Sequence, residues 1–159
     1  GFSGAVTIER NRATNQGGGI YAAAGGTLSL TDGVVISENT AGSGGGIYAF
    51  MRVELGHGGR IERNQASGQG GGIYVGSAEL SVLGGIIRGN RAGTGGGGVF
   101  SSDTVRVTED SLVTGNATAG GQTLSGGGIE GLGDEDVGGS GRGGGRIWRL
   151  WGSRRGAGW

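Results

Sequence analysis

The sequence of 159 residues contains no cysteine, no proline and no lysine. Without cysteine the chain has no disulfide framework, which fits either a reducing compartment or an exported protein that is stabilised by repetition. Without proline, and without glycine at every third position, the 45 glycines do not indicate collagen. No apolar run approaches the length of a membrane span, so no transmembrane segment is predicted. The chain opens GFSG, without Met or a charged-then-apolar leader, and we therefore expect a processed protein or an excised fragment.

Charged residues are scarce and unevenly placed. They make up 16% of the chain, and thirteen arginines balance thirteen acids. Residues 1–141 hold eight of the arginines and all thirteen acids, a charge of −5, whereas residues 142–159 hold five arginines and no acid. The body of the chain therefore has no basic field for nucleic acid, and no nucleic-acid partner is predicted.

Two markers recur at one spacing along the chain. Five asparagines form the first marker: Asn11, Asn39, Asn64, Asn90 and Asn116. Aliphatic residues that follow glycine clusters form the second: Ile20, Ile47, Ile73 and Val99. The asparagines are 28, 25, 26 and 26 residues apart, and the aliphatic residues are 27, 26 and 26 apart. A repeat unit of about 26 residues follows.

Three short segments alternate within each unit. In one unit they are GGGIYA at 17–22, TLSLT at 27–31 and VVISENTA at 34–41. Segments of this length with period-two alternation, separated by Gly, Ser and Asp, are typical of β-strands. A three-strand unit without a helical pattern predicts an all-β fold, a right-handed parallel β-helix (a pectin-lyase-like solenoid) of about five coils.

Stacked coils place equivalent residues about 4.8 Å apart in columns. Three residues before each asparagine we predict an inward aliphatic column: Ile8, Ile36, Ile61, Ile87 and Val113. Two residues after it we predict a column of small residues at a tight corner: Ala13, Ala41, Ala66 and Ala92. Charged residues just before the asparagine are assigned to a solvated face.

The asparagine column itself has two interpretations. Asparagine tolerates a left-handed backbone at a turn, and stacked amides hydrogen-bond to one another in a ladder. The structural interpretation is therefore an asparagine ladder. The functional alternative is a row of side chains that contact a sugar or a metal.

An aromatic column follows the glycine clusters: Tyr21, Tyr48, Tyr74 and Phe100. If the preceding aliphatic residue points inward, these rings lie on the outer face of the first strand. One interpretation is a stacking ladder that covers and stiffens the sheet. The other is a platform that contacts a glycan or another partner.

Two motifs resemble a known family. GGGI occurs at 17–20, 44–47 and 70–73, and I-x-x-N or V-x-x-N occurs at 8–11, 36–39, 61–64, 87–90 and 113–116. They resemble the GGA-[ILV] and F-x-x-N marks of chlamydial polymorphic outer membrane proteins and related autotransporter passengers, with Gly for Ala and Ile or Val for Phe. The resemblance covers about residues 4–130 and implies an exported, cell-surface passenger with adhesive or structural roles.

Nothing in the sequence predicts an enzyme. Polysaccharide-cleaving β-helices need acids, Arg or Lys grouped on one outer face, but the aromatic column meets no acid before Glu130. Asp103, Glu109 and Asp110 are predicted in turns without a partner His or Lys. His57, the single histidine, is interpreted as a surface turn residue. No metal site and no cofactor is predicted, because zinc spacings and phosphate loops are absent.

The repeat degrades after the fifth asparagine. We predict β-helix repeats over 1–130, a Gly-rich acidic linker or loop over 131–145, and an Arg/Trp-rich tail, cap or contact segment over 146–159. The acidic run at 134–136 is interpreted as a solvated turn, because its spacing fits no calcium loop. All three tryptophans lie in the tail and are candidates for capping the coil stack or contacting a partner: Trp148, Trp151 and Trp159.

Two functions are therefore compared. The first is a bacterial extracellular or cell-surface structural or adhesive module that self-associates end to end or laterally, or that contacts other surface proteins and glycans. The second is a carbohydrate-binding or carbohydrate-active β-helix.

Overall fold

A computed structural model describes residues 5–23, 25–108, 110–118, 129–131 and 135–137. The chain winds into a parallel β-helix in which each coil adds one strand to each of four sheets, here called the first to fourth walls in chain order. Equivalent strands of successive coils are neighbours, and every strand pairing is parallel. The predicted all-β solenoid is confirmed, and the described residues complete about four turns against the five that the sequence predicted.

The first wall follows the glycine clusters. Its strands are Ile20–Ala22, Ile47–Ala49, Ile73–Val75, Val99–Ser101 and Ile129–Gly131. The second wall comes next in each coil. Its strands are Thr27–Leu30, Arg52–Gly56, Leu80–Leu83, Val105–Val107 and Glu135–Val137.

The third and fourth walls flank the asparagine column. The third-wall strands are Thr7–Glu9, Val35–Ser37, Arg60–Glu62, Ile86–Arg88 and Leu112–Thr114. The fourth-wall strands are Thr40–Ala41, Gln65–Ala66, Arg91–Ala92 and Ala117–Thr118. The sequence predicted three strands per coil, because a two-residue strand is too short to show any alternation.

The interior is filled by the predicted columns. Ile36, Ile61 and Ile87 are in register and completely buried, while Ile8 and Val113 at the two ends are partly buried. In the second wall, alternate residues point inward, as Val53 and Leu55 do, and both are completely buried. The first three walls each contribute one or two aliphatic side chains per coil, at roughly 2 kcal/mol for each large side chain buried, and the fourth wall contributes alanines. Stacking coils therefore produces one continuous core.

One segment differs from the sequence prediction. Glu135–Val137 lies within the stretch expected to be a linker and a solvated acidic turn, yet its backbone pairs with Val105–Val107 as a further second-wall strand. Parallel hydrogen bonding uses only the backbone, so an acidic composition does not prevent it. The described residues do not include 132–134 or 138–145. They also do not include the tail 146–159 with its three tryptophans.

Candidate functional site

The five asparagines form a continuous hydrogen-bonded column at the corner between the third and fourth walls. Nδ2 of each asparagine donates to Oδ1 of the next one, with four contacts of 3.0, 3.0, 3.1 and 3.0 Å from Asn11 to Asn116. The backbone N–H of each asparagine donates to the same oxygen at 2.9 or 3.0 Å. The amides therefore tie every coil to its neighbour.

An amide in the middle of this ladder has no free hydrogen-bond donor or acceptor. Oδ1 of Asn64 accepts from the backbone N–H and Nδ2 of Asn39, at 3.0 Å each. Its own Nδ2 donates to the carbonyl oxygen of Ile36 at 2.9 Å and to Oδ1 of Asn90 at 3.1 Å. Two acceptor positions and two donors are all that an asparagine side chain offers. Because Asn64 is also 1% exposed, this amide is not available to a sugar or a metal.

The turn beside the ladder is made by the residue that precedes each asparagine. Arg10, Glu38 and Arg63 have φ angles of 57°, 57° and 52°, and the equivalent Gly89 and Gly115 both have 62°. The left-handed backbone was predicted at the asparagine itself, and that prediction is wrong. The chain reverses one residue earlier, which aims both the backbone N–H and the side chain of the asparagine at the next coil.

The aromatic rings on the first wall stack face to face along the coil axis. Ring centroids are 5.7 Å apart for Tyr21 and Tyr48, 4.4 Å for Tyr48 and Tyr74, and 5.1 Å for Tyr74 and Phe100. The ring planes deviate from parallel by 7°, 1° and 14°. Phe50 packs edge-on against Tyr48 at 5.3 Å. Offset stacks of this kind stabilise neighbouring strands beyond the area that they bury.

Stacking leaves few ring faces open. Tyr48 is 6% exposed and Phe100 is 5% exposed, whereas Tyr21 at the end of the column is 54% exposed. Burial, followed by the neighbouring Tyr74, raises the pKa of the Tyr48 hydroxyl. A sugar ring stacks on a free aromatic face, and Tyr48 and Tyr74 have neighbours on both faces. The predicted glycan contact stays a prediction, restricted to the outer face of Tyr21 and to ring edges.

One carboxylate of the third wall is buried among arginines. The Glu62 side chain is 5% exposed and lies 3.0 Å from Nε of Arg88, 3.1 Å from Nη1 of Arg63 and 3.9 Å from Nη1 of Arg60. Its assignment to a solvated face is therefore wrong, because three guanidinium groups cover it. The negative charge of Glu62 is therefore compensated by the arginines around it.

The single histidine has an acidic partner two coils away. Nε2 of His57 lies 3.2 Å from Oδ2 of Asp110, and both side chains are exposed. The path is open because the intervening residue is Gly84, where a Cβ would overlap the His57 ring. The prediction that Asp110 has no histidine partner is wrong. The hydroxyl of Thr108, with a smaller contribution from His57, lowers the pKa of the Asp110 carboxyl.

Two arginines beside the ladder were not predicted as candidate site residues. Arg12 and Arg91 each follow a ladder asparagine, lie exposed on the fourth wall, and have no carboxylate partner among the described residues. The signal was present in the sequence as a repeated Asn-Arg pair, at 11–12 and 90–91. This pair did not predict a site, because a charged residue on a strand usually only faces solvent.

The described residues have neither a metal cluster nor a membrane-spanning helix. They contain no group of three or more His, Cys, Asp or Glu side chains that could hold a metal ion. They also contain no helix that is long and apolar enough to cross a membrane.

Coils in parallel register, a buried asparagine ladder and a stacked aromatic column define a parallel β-helix repeat protein. The sequence matches the family described as "right handed beta helix region" over residues 1–132. The chain belongs to this family, which also gives the solenoid its right-handed sense. No curated protein and no solved structure matches the chain.

Proposed function

We propose that the chain is a structural or adhesive module of a bacterial cell surface, without enzymatic activity, that associates end to end with further copies. The resemblance of GGGI and I-x-x-N to the repeats of polymorphic outer membrane proteins supports the surface location. The asparagine ladder and the aromatic column support the structural role, because their amide groups and ring faces contact neighbouring coils.

The observation that carries self-association is the state of the first coil. Tyr21 stacks on one ring only and is 54% exposed. Asn11 is exposed, and among the described residues no amide of a preceding coil donates to it. Among the described strands, Thr7–Glu9 pairs with Val35–Ser37 alone. A strand edge without a described neighbour is a template for another strand. This face of the described coils is therefore suited to receive a further coil, from a second copy or from chain that precedes it.

Analytical ultracentrifugation with electron microscopy tests this assembly. We expect the mass of the native chain to rise with concentration and elongated particles to appear. Tyr21→Glu places a charge on the open face and should leave the protein monomeric. Leu83→Glu is the matched control, because Leu83 is 39% exposed on the side of the coil rather than on its end, and it should assemble like the native chain.

Two results contradict the proposal. A native chain that stays monomeric at high concentration removes end-to-end association. If Leu83→Glu stays monomeric and Tyr21→Glu still assembles, the copies associate laterally rather than end to end. Immunogold labelling of intact producing cells tests the location, and labelling confined to the cell interior overturns it.

Carbohydrate binding is the second candidate function. The observation that favours it is a polar cleft on the fourth wall, bordered by Arg12. The described lining of this cleft contains no Asp or Glu, so we propose this candidate as a binding function.

A further inference from the structure

The end of the chain contains a second copy of an earlier stretch of coil. Residues 144–159 are GGRIWRLWGSRRGAGW, and residues 58–73 are GGRIERNQASGQGGGI. Aligned without a gap, the two stretches are identical at eight of sixteen positions. Four of the eight are not glycine, so the glycine content of the chain does not account for the match: Arg146, Ile147, Arg149 and Ser153. The stretch 144–159 is therefore related to the repeat unit.

The match covers the positions that build a coil. Residues 58–73 contain a third-wall strand, a ladder asparagine, a fourth-wall strand, a glycine corner and the first residue of a first-wall strand. The buried apolar residues of this stretch are Ile61, Ala66 and Ile73. The corresponding residues at the end of the chain are Ile147, Gly152 and Trp159. Apolar residues thus stand at the two large positions and a small residue stands at the corner, as the repeat requires.

The described fold has an open position for such a coil. In each coil the third-wall strand follows the second-wall strand. The last described second-wall strand is Glu135–Val137, whereas the described third wall ends one coil earlier, at Leu112–Thr114. Val113 is only partly buried, while Ile61 and Ile87 of the same column are completely buried. A further strand paired on Leu112–Thr114 would complete the burial of Val113.

The chain that leads from the second wall to this position is long enough. Val107 precedes Val113, the inward residue of the next wall, by six residues. Val137, which pairs with Val107, precedes Ile147 by ten residues. The added residues belong to the run GGSGRGGG at 138–145. A longer turn costs little, because loop-closure entropy rises only with the logarithm of loop length.

Ala157 distinguishes this stretch from the coils before it. It stands at the position of Gly71, the middle glycine of a triplet. A Cβ on Gly45, the middle glycine one coil earlier, would overlap the carbonyl oxygen of Gly71, and a Cβ on Gly71 would overlap that of Gly97. In both cases the overlapped atom belongs to the following coil. The methyl group of an alanine at this position therefore excludes a further coil on the same face.

Leu150 marks the same boundary in the asparagine column. It stands at the position of Asn64. Each ladder asparagine donates from Nδ2 to Oδ1 of the next one, as Asn90 does to Asn116 at 3.0 Å. A leucine side chain has neither a donor nor an acceptor, so a coil that followed Leu150 would receive no hydrogen bond from it. The glycine corner and the asparagine corner thus end at the same stretch.

We propose that residues 144–159 form a closing coil, with residues 146–148 paired on Leu112–Thr114, Ile147 inside and the methyl group of Ala157 directed away from the stack. The closing coil prevents another copy from stacking on this end. This inference rests on the proposed end-to-end association and specifies its geometry. Copies meet only through their first coils, at Asn11 and Tyr21, so association stops at pairs.

Disulfide cross-linking of the full chain tests the position of the closing coil. The chain has no cysteine, so an introduced pair has no competing thiol. In the proposed register Thr114 and Trp148 are neighbours on paired strands, with Cα atoms about 4.8 Å apart, within the range of roughly 4.4–6.8 Å that a disulfide spans. We expect Thr114→Cys with Trp148→Cys to form an intramolecular disulfide on mild oxidation, identified by mass spectrometry of proteolytic fragments.

Two matched pairs control this cross-link. Ile86 and Leu112 are neighbours on described strands, so Ile86→Cys with Leu112→Cys should cross-link and shows that the conditions suffice. Thr114→Cys with Ser153→Cys joins the same first position to a residue that lies beyond the fourth wall in the proposed register, and it should stay reduced. A pair at Thr114 and Trp148 that stays reduced, or a pair at Thr114 and Ser153 that cross-links equally, overturns the closing coil.

Sedimentation equilibrium tests the closed end. We expect the mass of the native chain to rise with concentration to that of two copies and then to stay constant. Leu150→Asn with Ala157→Gly restores the residues of the earlier coils, and it should form longer assemblies, because Oδ1 of Asn11 in the next copy can then accept a hydrogen bond. Leu150→Asn with Ala157→Ser restores the amide but keeps a Cβ, so this matched control should stop at pairs.

The outcomes separate this inference from the proposed function. A native chain that forms assemblies of more than two copies overturns the closed end. If Leu150→Asn with Ala157→Gly also stops at pairs, the assigned cause of the closure is wrong. A native chain that stays monomeric at every concentration removes the proposed association and the stop at pairs with it, and the cross-link between positions 114 and 148 then decides the closing coil alone.

Discussion

At the asparagine corner the coil turns around buried amide side chains, whereas at the glycine corner it turns with no side chain at all. The asparagine corner spends every donor and acceptor of an inner amide on neighbouring coils. The glycine corner, which comprises the triplets 17–19, 44–46, 70–72 and 96–98, stacks backbone on backbone. One corner therefore depends on hydrogen-bond satisfaction and the other on the absence of a Cβ atom.

The two corners meet inside the coil. A Cβ at Gly46 would lie 3.0 Å from Nδ2 of Asn64, and a Cβ at Gly72 would lie the same distance from Nδ2 of Asn90. Each ladder amide thus occupies space that a side chain on the third glycine would need. The third glycine and the asparagine therefore recur at the same spacing, because the asparagine amide packs where a side chain on that glycine would lie.

A substitution at the glycine corner should lower the free energy of unfolding more than any other substitution considered below. A Cβ on Gly45 would overlap the carbonyl oxygens of Gln65 and Gly71, and stacked backbone cannot move aside as a side chain can. We expect Gly45→Ala to lower the free energy of unfolding by roughly 4 kcal/mol or more. Urea unfolding followed by circular dichroism measures this change.

Gly89→Ala is the matched control for this variant. Gly89 has φ 62°, and the nearest atom to its added Cβ is Cγ of Arg63 at 3.6 Å, so only backbone strain of about 1 kcal/mol is expected. Equal losses in the two variants would show that conformational strain, not close approach of backbone, accounts for the conserved spacing of glycine within this chain's repeats.

The asparagine corner should give the next largest effect. Asn64→Ala leaves the Asn39 amide, the Ile36 carbonyl and Oδ1 of Asn90 without their bonds to this side chain. Buried polar groups without partners cost about 1–3 kcal/mol each, and part of this loss is relieved by relaxation. We expect a loss of roughly 2–3 kcal/mol in the free energy of unfolding, measured by the same urea titration.

Asn15→Ala provides the comparison outside the ladder. Asn15 is exposed and has no side-chain hydrogen bond to a described residue, so its replacement should change stability by less than about 0.5 kcal/mol. A ladder variant as mild as Asn15→Ala would mean that water replaces the lost amide bonds, and the ladder would then be a consequence of the fold rather than a support for it.

The two corners also show what the sequence could reveal. The period, the aliphatic columns and the asparagine ladder were predictable because each repeats in every coil, so five weak signals reinforce one another. The left-handed turn was placed one residue too late, since Arg10 and Glu38 give no sign of an unusual backbone. The burial of Glu62 and the contact of His57 with Asp110 occur once and depend on neighbouring coils, so no periodic pattern announces them.

The solvent side of the asparagine corner should give the smallest effect, and one that depends on pH. Hydrogen bonds from Arg10 at 3.0 Å and Arg63 at 3.3 Å lower the pKa of the Glu38 carboxyl below its ordinary value of 4.5. A carboxyl with a lowered folded-state pKa contributes stability above its unfolded pKa and loses it as the pH falls through the folded pKa. Glu38→Gln should therefore be less stable than the native chain above about pH 5, and the difference should shrink below pH 4.5.

Urea unfolding from about pH 3 to about pH 7 measures this difference. Because the pair is exposed, added salt should reduce the difference at neutral pH. Arg91→Gln, which removes an arginine without a carboxylate partner, should show a constant difference from the native chain across the range. A Glu38→Gln difference that grows in acid would contradict the assigned direction of the pKa shift. A difference in stability that does not change with salt would mean that the Glu38 carboxylate is shielded from solvent, as the buried amides of this corner are.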